Sequence, residues 1–130
     1  MSYVESEITR AWLRAHGAEY DRIEFNWRLG KGLEIGDEYD ASTRRAAELL
    51  TQKRADIVAW QSGYVTLIEV KIRIAFPTIG QLLGYRVLYR QQHPDQPVKR
   101  LLAIGRSVVH DSADVLTELG VDIETFPREM

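Results

Sequence analysis

The alternation of apolar and polar residues is clearest in the middle of the chain, between Tyr64 and Ile74. This run, YVTLIEVKIRI, is rich in β-branched residues and is bounded by Ser62-Gly63 before it and Pro77 after it, a pattern typical of a strand. Side chains alternate across a strand, so one face of this strand is predicted to be wholly apolar. That face consists of Thr66, Ile68, Val70, Ile72 and Ile74.

The opposite face of this strand changes from apolar to charged halfway along, where Val65 and Leu67 are followed by Glu69, Lys71 and Arg73. Residues two apart on a strand lie side by side, so the carboxylate of Glu69 adjoins the ammonium of Lys71. Taken alone, such a pair is most often an ion pair on a solvated face. Here the apolar start of the face indicates burial, and buried charges are costly unless they are paired or bind a metal.

A second strand is predicted from Ala55 to Gln61, joined to the first by a tight turn at Ser62-Gly63. Asp56 and Glu69 lie about equally far from this turn, so their carboxylates are expected to meet across the hairpin and to converge on one cation. Hard divalent cations such as Mg²⁺ prefer oxygen ligands and often take only one or two carboxylates from the protein. The backbone carbonyl of Val70 could supply a further oxygen.

Three motifs follow one another in this part of the chain. Asp56 is followed after twelve residues by Glu69-Val70-Lys71, and the next predicted helix carries Gln81-Leu82-Leu83-Gly84-Tyr85. The combination resembles the D…(D/E)xK and QxxxY signatures of the PD-(D/E)xK nuclease superfamily, in its RecB-like branch. The sequence departs from the family's name at Ala55, where proline is common. The resemblance extends from roughly Ser2 to Gly105.

The resemblance implies an α/β fold with a restriction-endonuclease-like core. This core is a central mixed sheet of about four to five strands flanked by helices, in the order αβββαβ, here with an inserted helix and a C-terminal αβ extension. It also implies a nuclease, with DNA the favoured substrate and endonucleolytic cleavage the favoured reaction. Asp56 and Glu69 would bind Mg²⁺ or Mn²⁺, Lys71 would position the nucleophile or stabilise the transition state, and Gln81 would orient a water or a phosphate oxygen.

Many relatives also carry a glutamate on the first helix that supports the metal site. Here Glu5 or Glu7 could fill that role, and Glu5 is preferred because it lies beside Trp12, nearer the centre of the apolar stripe. The alternative is that both are favourable acids in the first turn of a helix.

The remaining elements follow from the same patterns of spacing and from their boundary residues. Asp40 or Ser42 is expected to cap the second helix, and an irregular loop rich in glycine and acids is expected at residues 30–40. The predicted helices are Ser2 to His16, about Asp40 to Thr51, Pro77 to Gln92 and Ser112 to Leu119, and the other strands are Tyr20 to Leu29, Lys99 to Ser107 and Val121 to Phe126.

The composition limits the kind of protein. A chain of 130 residues predicts one domain, residues 1–130, and the lack of cysteine excludes disulfides and thiolate zinc sites. No apolar run approaches the ~20 residues of a membrane span, and the N-terminus lacks the apolar core of a signal peptide. A soluble, cytoplasmic protein with no membrane partner is therefore expected.

The net charge of −2 is unevenly distributed. Residues 1–40 carry −4, residues 41–110 carry +7, and residues 111–130 carry −5. The basic segment contains the motifs, and localised charge can steer a polyanion even when the chain is acidic overall. The alternative is that these charges are solvated faces. The candidate nucleic-acid-binding residues are Arg44, Arg45, Lys53, Arg54, Arg73, Tyr85 and Arg86.

One domain of this size shows no segment that would read a base sequence. Selectivity would then come from recognition of nucleic-acid shape or ends, from a homodimer, or from a partner protein. The alternative function is a non-catalytic nucleic-acid-binding or assembly module with a nuclease-like fold. Loss of a motif carboxylate or of the lysine would favour that module, and Asp56, Glu69 and Lys71 are all present.

Overall fold

A five-stranded sheet with helices on both faces forms the protein in the computed structural model, which describes residues 1–128. The last two residues of the predicted domain lie outside this range. The helices are α1 (Tyr3–His16), α2 (Ala41–Thr51), α3 (Pro77–Gln92) and α4 (His110–Glu118), and a short 3₁₀ turn spans Gly17–Glu19. The strands are β1 (Arg22–Leu29), β2 (Lys53–Gln61), β3 (Tyr64–Ile74), β4 (Val98–Val108) and β5 (Val121–Thr125).

The strands lie in chain order across the sheet, and the sheet is mixed as predicted. β1, β2 and β3 form an antiparallel meander, whereas β3, β4 and β5 run parallel and are connected by α3 and α4. The β2–β3 turn has Ser62 at φ 51° and Gly63 at φ 81°, the left-handed conformations that tight hairpin turns require. This turn confirms the predicted hairpin and fixes the register between its strands.

Most element boundaries agree with the prediction to within two residues. β3 and α3 have the predicted bounds, with Pro77 in the first turn of α3. Of the two candidate caps for α2, the structure uses Asp40, whose side chain accepts a hydrogen bond from the amide of Thr43 at 2.7 Å. The segment between β1 and α2 has no helix or strand, as expected. Within residues 1–128, no helix is long and apolar enough to span a membrane.

Two hydrophobic cores lie on opposite sides of the sheet. On one side, Ile8 and Trp12 of α1 pack against apolar residues of β2, β3 and β4. On the other side, Leu82, Tyr85 and Tyr89 of α3 pack together with residues of α4 and the sheet. We call these the α1 side and the α3 side.

The strands do not keep a single alternation from end to end. In β3, Val70 lies in the core on the α1 side, but Ile74 lies in the core on the α3 side, and Ile72 between them is 48% exposed. Residues four apart on a regular strand share a face, so β3 must change faces between these two positions. The prediction that Ile72 and Ile74 continue the apolar face of Ile68 and Val70 is therefore wrong.

The neighbouring strands also change faces, within a few residues of this level of the sheet. Residues two or four apart, which would share a face in a regular strand, lie on opposite sides of the sheet in three other strands. These pairs are Ile23 and Trp27 in β1, Ala55 and Ile57 in β2, and Ile104 and Val108 in β4. The residues within these intervals form an oblique row across the sheet. Asn26 lies opposite Asp56, whereas Lys71, which pairs with Gly105, lies two residues beyond Glu69, the neighbour of Asp56. We call Asn26, Asp56, Lys71 and Gly105 the face-switch row.

Two backbone features accompany the face-switch row. Asn26 has φ 53°, a left-handed conformation that non-glycine residues rarely adopt within a strand. At Gly105, an added Cβ would lie 2.5 Å from the carbonyl oxygen of Lys71, so only glycine permits this approach of β4 to β3. The switch therefore depends on residues of several strands.

Candidate metal and nucleic-acid site

Asp56 is held in place by the strand beside it. The register pairs Ile57 with Ile68, so Asp56 and Glu69 are the next neighbours across the hairpin. Oδ2 of Asp56 accepts a hydrogen bond from the backbone amide of Val70 at 2.8 Å. This bond fixes the Asp56 carboxylate against β3, next to Glu69.

Glu69 is a buried acid, only 3% exposed. Its Oε2 accepts a hydrogen bond from the hydroxyl of Tyr85 at 3.4 Å and lies 3.8 Å from Nζ of Lys71. Its Oε1 is buried and has no hydrogen-bond donor among residues 1–128. An unsatisfied buried carboxylate oxygen is costly, so this position calls for a proton or a cation.

The charge state of Glu69 follows from this environment. Burial raises the pKa of the Glu69 carboxyl to about 9, together with the neighbouring carboxyl of Asp56, which acts through a hydrogen bond and through its charge. Lys71 acts in the opposite direction but does not offset these effects. Because two adjoining carboxylates cannot both ionise cheaply, the pair retains one proton at neutral pH unless a cation replaces it.

Two residues of α3 complete the buried side of the site. Burial raises the pKa of the Tyr85 hydroxyl, and the charges of Glu69 and Asp56 raise it further, so Tyr85 remains a neutral hydrogen-bond donor to Glu69. Gln81 lies beside Tyr85, one helical turn earlier, and its Oε1 is buried without a donor in the described part of the chain. The site therefore contains two buried acceptor oxygens, on Glu69 and Gln81, that lack partners.

Lys71 connects this buried pair to solvent. Its side chain is 35% exposed, whereas that of Glu69 is 3% exposed, so the ammonium lies at the mouth of the site. An ammonium in this position can contact a solvent-borne anion while remaining 3.8 Å from the Glu69 carboxylate. The arrangement of an inner carboxylate pair and an outer cation suits a phosphate group.

The donor set fits a hard divalent cation. Asp56 and Glu69 supply carboxylate oxygens, one of them without a donor, and Mg²⁺ commonly uses one or two carboxylates with water and substrate oxygens completing its coordination. In residues 1–128 there is no group of three or more His, Cys, Asp or Glu side chains that could hold a metal ion. The acids of this site are thus two, and further ligands would have to come from carbonyls, water or substrate.

The first-helix acids are used elsewhere. Oε1 of Glu5 accepts a hydrogen bond from the amide of Ser2 at 3.3 Å, while Oγ of Ser2 accepts one from the amide of Glu5 at 3.2 Å. This reciprocal capping box stabilises the start of α1, which is the alternative role considered for Glu5. Glu7 forms an ion pair with Arg106. Neither acid joins the Asp56–Glu69 pair, and the signature Ser2-x-x-Glu5 could have indicated this from the sequence.

The predicted nucleic-acid-binding arginines fall into two groups. Nη1 of Arg44 lies 3.4 Å from Oδ1 of Asp37, and Nη1 of Arg45 lies 3.5 Å from Oε2 of Glu48. Both arginines of α2 therefore have acidic partners. The others have no ion pair among the described residues, and all except the half-buried Arg86 are exposed. These are Lys53, Arg54, Arg73 and Arg86.

Three residues near the site were not predicted. Arg28 lies directly opposite Arg54 in the β1–β2 register, and like charges in this position are unfavourable unless an anion separates them. Asn26 lies opposite Asp56, and Gly105 pairs with Lys71. An asparagine and a glycine inside predicted strands were the available signals, because both residues are depleted in strands and glycine there often marks a close approach of backbones.

No protein-family model matches the sequence, and no curated protein matches it significantly. Solved structures do match. A complex of EndoMS with double-stranded DNA has a TM-score of 0.55 at 12% identity, over 100% of this chain and 48% of that one. A repair endonuclease from Pyrococcus abyssi has a TM-score of 0.58 at 12% identity, over 99% of this chain and 49% of that one.

A third match is a protein of unknown function, with a TM-score of 0.61 at 7% identity, over 94% of this chain and 58% of that one. The chain therefore spans about half the length of the solved proteins that it resembles. At such low identity the likeness concerns the fold. The mixed sheet and its flanking helices form a restriction-endonuclease-like fold.

Proposed function

We propose that the protein is a nuclease that hydrolyses phosphodiester bonds of DNA with the help of Mg²⁺ or Mn²⁺. The observation that carries this proposal is the Asp56–Glu69 pair, in which a buried carboxylate oxygen of Glu69 lies beside a second carboxylate and has no donor among residues 1–128. Support also comes from the structural neighbours, which include a repair endonuclease and a complex of EndoMS with double-stranded DNA.

Asp56 and Glu69 would hold the ion, with the carbonyl oxygen of Val70 as a further candidate ligand. A divalent ion in this position would lower the pKa of the attacking water and would neutralise charge on the phosphate. The amide of Val70 keeps Asp56 in place, and the hydroxyl of Tyr85 orients Glu69. The hydrogen bonds thus preorganise the carboxylates before substrate arrives.

Lys71 and Gln81 would act on the substrate itself. The ammonium of Lys71, exposed at the mouth of the site, binds a non-bridging phosphate oxygen and stabilises the charge that develops there during attack. The amide of Gln81 orients the attacking water or a phosphate oxygen, and its unpartnered Oε1 is available to accept a hydrogen bond from that water. Neither residue changes its charge in this scheme.

The DNA backbone would lie along the basic residues that have no acidic partner among residues 1–128. Arg54 and Arg28 face one another two residues from Asp56 and Asn26, so a phosphate between them would relieve their repulsion. Lys53, Arg73 and Arg86 are further candidates. The paired arginines of α2, Arg44 and Arg45, are weaker candidates because Asp37 and Glu48 already compensate their charges. A homodimer or a partner protein would supply selectivity for the DNA site.

The competing proposal is a DNA-binding module without turnover. Among residues 1–128 only two acids lie at the site, which favours this module, since a metal ion would depend on substrate and water for most of its ligands. Binding without cleavage under all metal conditions would establish this module.

A cleavage assay with a matched lysine pair tests the proposal. Labelled single-stranded, double-stranded and branched DNAs are incubated with Mg²⁺, Mn²⁺ or EDTA. Lys71→Ala should lose about 10²–10³-fold in rate because a preorganised charge at the reacting phosphate is removed. Lys99→Ala should keep the wild-type rate, since Lys99 lies over the ring of Tyr64 near the turn end of the sheet. Equal cleavage by wild type and Lys71→Ala would contradict the proposed site.

A further inference from the structure

A second cavity, of about 520 Å³, lies on the α1 side of the sheet. Residues of α1, the end of β4 and the segment that follows β5 enclose it. Its charged and aromatic lining residues are Glu7, Arg10, Arg14, Arg106, Phe126 and Arg128. We call this cavity the arginine pocket.

The arginine pocket is strongly basic. Four arginines and one glutamate line it, which gives a formal charge of +3. Arg106 is committed to the protein, because it forms an ion pair with Glu7 and donates a hydrogen bond to the carbonyl oxygen of Phe126 at 3.2 Å. Arg10 and Arg14 are exposed on α1 and have no acidic partner among residues 1–128.

This charge comes from segments that the sequence presents as acidic. Residues 1–40 and 111–130 have net charges of −4 and −5, yet they supply Arg10, Arg14 and Arg128. Arg10 and Arg14 are four apart on α1, and like charges at this spacing destabilise an isolated helix. Their repulsion would be relieved by an anion held between them and Arg128.

One lining residue of the arginine pocket lies near Lys71 in the register of the sheet. Thr125 of its lining pairs with Gly105, and Gly105 pairs with Lys71, so the backbones of Thr125 and Lys71 are two strands apart, or about 10 Å. Arg10 also lines an adjoining cavity of about 320 Å³ that contains Asn26, the residue opposite Asp56. The two cavities thus share Arg10, and the second one reaches the face-switch row at Asn26.

The chemistry of the lining points to phosphate. A guanidinium donates two parallel hydrogen bonds to phosphate oxygens, and several arginines converging on one cavity match a phosphodiester better than a single ammonium would. Phosphates follow one another at regular intervals along a DNA strand, and Thr125 of the pocket lining has its backbone about 10 Å from that of Lys71, so a strand that reaches Lys71 can place a neighbouring phosphate in the pocket.

We infer that the arginine pocket binds a backbone phosphate of the DNA strand close to the phosphate that is cleaved. This inference rests on the proposed nuclease function for the identity of the strand. It assigns Arg10 and Arg14 to substrate binding, outside the residues that hold the metal or contact the reacting phosphate. Its consequence is that binding energy for DNA comes from both sides of the sheet.

The test measures binding in EDTA, where no cleavage takes place. Anisotropy of a labelled DNA duplex is followed over a salt series for wild type, for Arg10→Gln/Arg14→Gln, and for Arg22→Gln/Lys99→Gln as the control. The control removes the same charge at the turn end of the sheet, where Arg22 lies against Trp60 and Lys99 against Tyr64. Circular dichroism and thermal melting verify that each variant is folded.

For the Arg10→Gln/Arg14→Gln variant, called the pocket variant, the slope of log K against log salt should be smaller than that of wild type by about one unit for each phosphate contact that is lost. The control should leave the slope unchanged. An unchanged slope in the pocket variant, or an equal reduction in both variants, would overturn the inference. A protein that binds inorganic phosphate at Arg10 and Arg14 but shows the same DNA slope in both variants would hold a free anion there, which also overturns it.

Neutral methylphosphonate linkages then locate the contact. One such linkage placed near the cleaved bond should weaken binding by wild type and should have no effect on the pocket variant. The outcomes separate the two proposals. Cleavage by wild type with an unchanged slope in the pocket variant would reject the pocket and retain the nuclease, whereas a reduced slope without any cleavage would retain the pocket and reject the nuclease.

Discussion

The two ends of the β2–β3 hairpin differ in almost every physical respect, although the same two strands form both. At the turn end, Val58 and Leu67 pair across the strands and are fully buried in the core on the α3 side. At the other end, Asp56 adjoins Glu69, a buried oxygen of Glu69 has no donor among residues 1–128, and the face-switch row crosses the sheet. The turn end therefore supplies stability, and the other end carries the costs that are typical of functional sites.

This contrast explains how the Asp56–Glu69 pair can keep a fixed geometry although its own interactions do not stabilise the fold. The hydrogen bond from Val70 to Asp56 ties the site to a strand whose earlier residues are packed on both sides. Cation or phosphate binding would satisfy the Glu69 and Gln81 oxygens that lack a donor, and the arginines that lack an acidic partner, among residues 1–128. Removing a charge from the Asp56–Glu69 pair should accordingly stabilise the metal-free protein, whereas truncating a buried apolar side chain should destabilise it.

The largest effect is expected for Glu69→Gln. The glutamine keeps the shape and the contact with Tyr85 but removes the negative charge that would bind the ion. Cleavage should fall by at least about 10²–10³-fold. The metal-free variant should nevertheless melt at a higher temperature than metal-free wild type, because its amide can donate to Asp56 where two carboxyls now compete.

The stabilisation by Glu69→Gln should depend on pH. In the unfolded chain the Glu69 carboxyl ionises near its ordinary pKa of 4.5, whereas in the folded protein it stays protonated up to a pKa of about 9. The metal-free wild type should therefore lose stability as pH rises between these values, and the variant should lack this contribution. Melting curves from pH 5 to pH 9 would reject the argument if the two proteins changed in parallel.

The second prediction tests the face switch in β3. Ile74 is fully buried and Ile72 is 48% exposed, although regular alternation would place both on the apolar face. Ile74→Ala should lower the free energy of unfolding by about 2–5 kcal/mol, since it leaves a cavity in the core. Ile72→Ala should change it by less than about 1 kcal/mol. Urea denaturation of both variants gives the comparison, and equal losses would mean that β3 is regular.

A smaller effect is expected for Gly105→Ala, at the point where β4 approaches β3. The added methyl group would lie 2.5 Å from the carbonyl oxygen of Lys71, so β3 or β4 must shift, at a cost of about 1–3 kcal/mol. Cleavage should also fall, because Lys71 moves with its backbone. Gly84→Ala is the matched control, since no atom lies within 4 Å of its added methyl group and alanine favours a helix. Equal stability and equal cleavage rates of the two variants would show that neither the fold nor the site needs the close approach of β4 to β3.

The order of helices and strands was predictable because its signals are local. Pro77 marks the start of α3, and Ser62-Gly63 marks the turn that sets the hairpin register. From that register alone, the meeting of Asp56 and Glu69 could be predicted. The positions of Gln81 and Tyr85 beside this pair follow from the helix that comes next in the chain.

Features that arise between strands were not predictable in the same way. The face of Ile74 depends on a row that includes Asn26 in β1 and Gly105 in β4, and the alternation within β3 holds no information about either. The arginine pocket likewise joins α1 to the segment after β5. A sum of charge along the chain does not show the basic character of this pocket, because it includes nearby acids that interact elsewhere. Glu5 bonds with Ser2, and Glu19 bonds with His16.

The most direct test of the account is the proton balance of Mn²⁺ binding. Calorimetric titrations at neutral pH in two buffers with different ionisation enthalpies measure the protons released for each ion bound. Because the Asp56–Glu69 pair retains one proton that the cation must replace, wild type should bind Mn²⁺ and release about one proton, and Glu69→Gln should lose this binding. Binding without proton release, or binding that survives Glu69→Gln unchanged, would contradict the assignment of the ion to these two carboxylates.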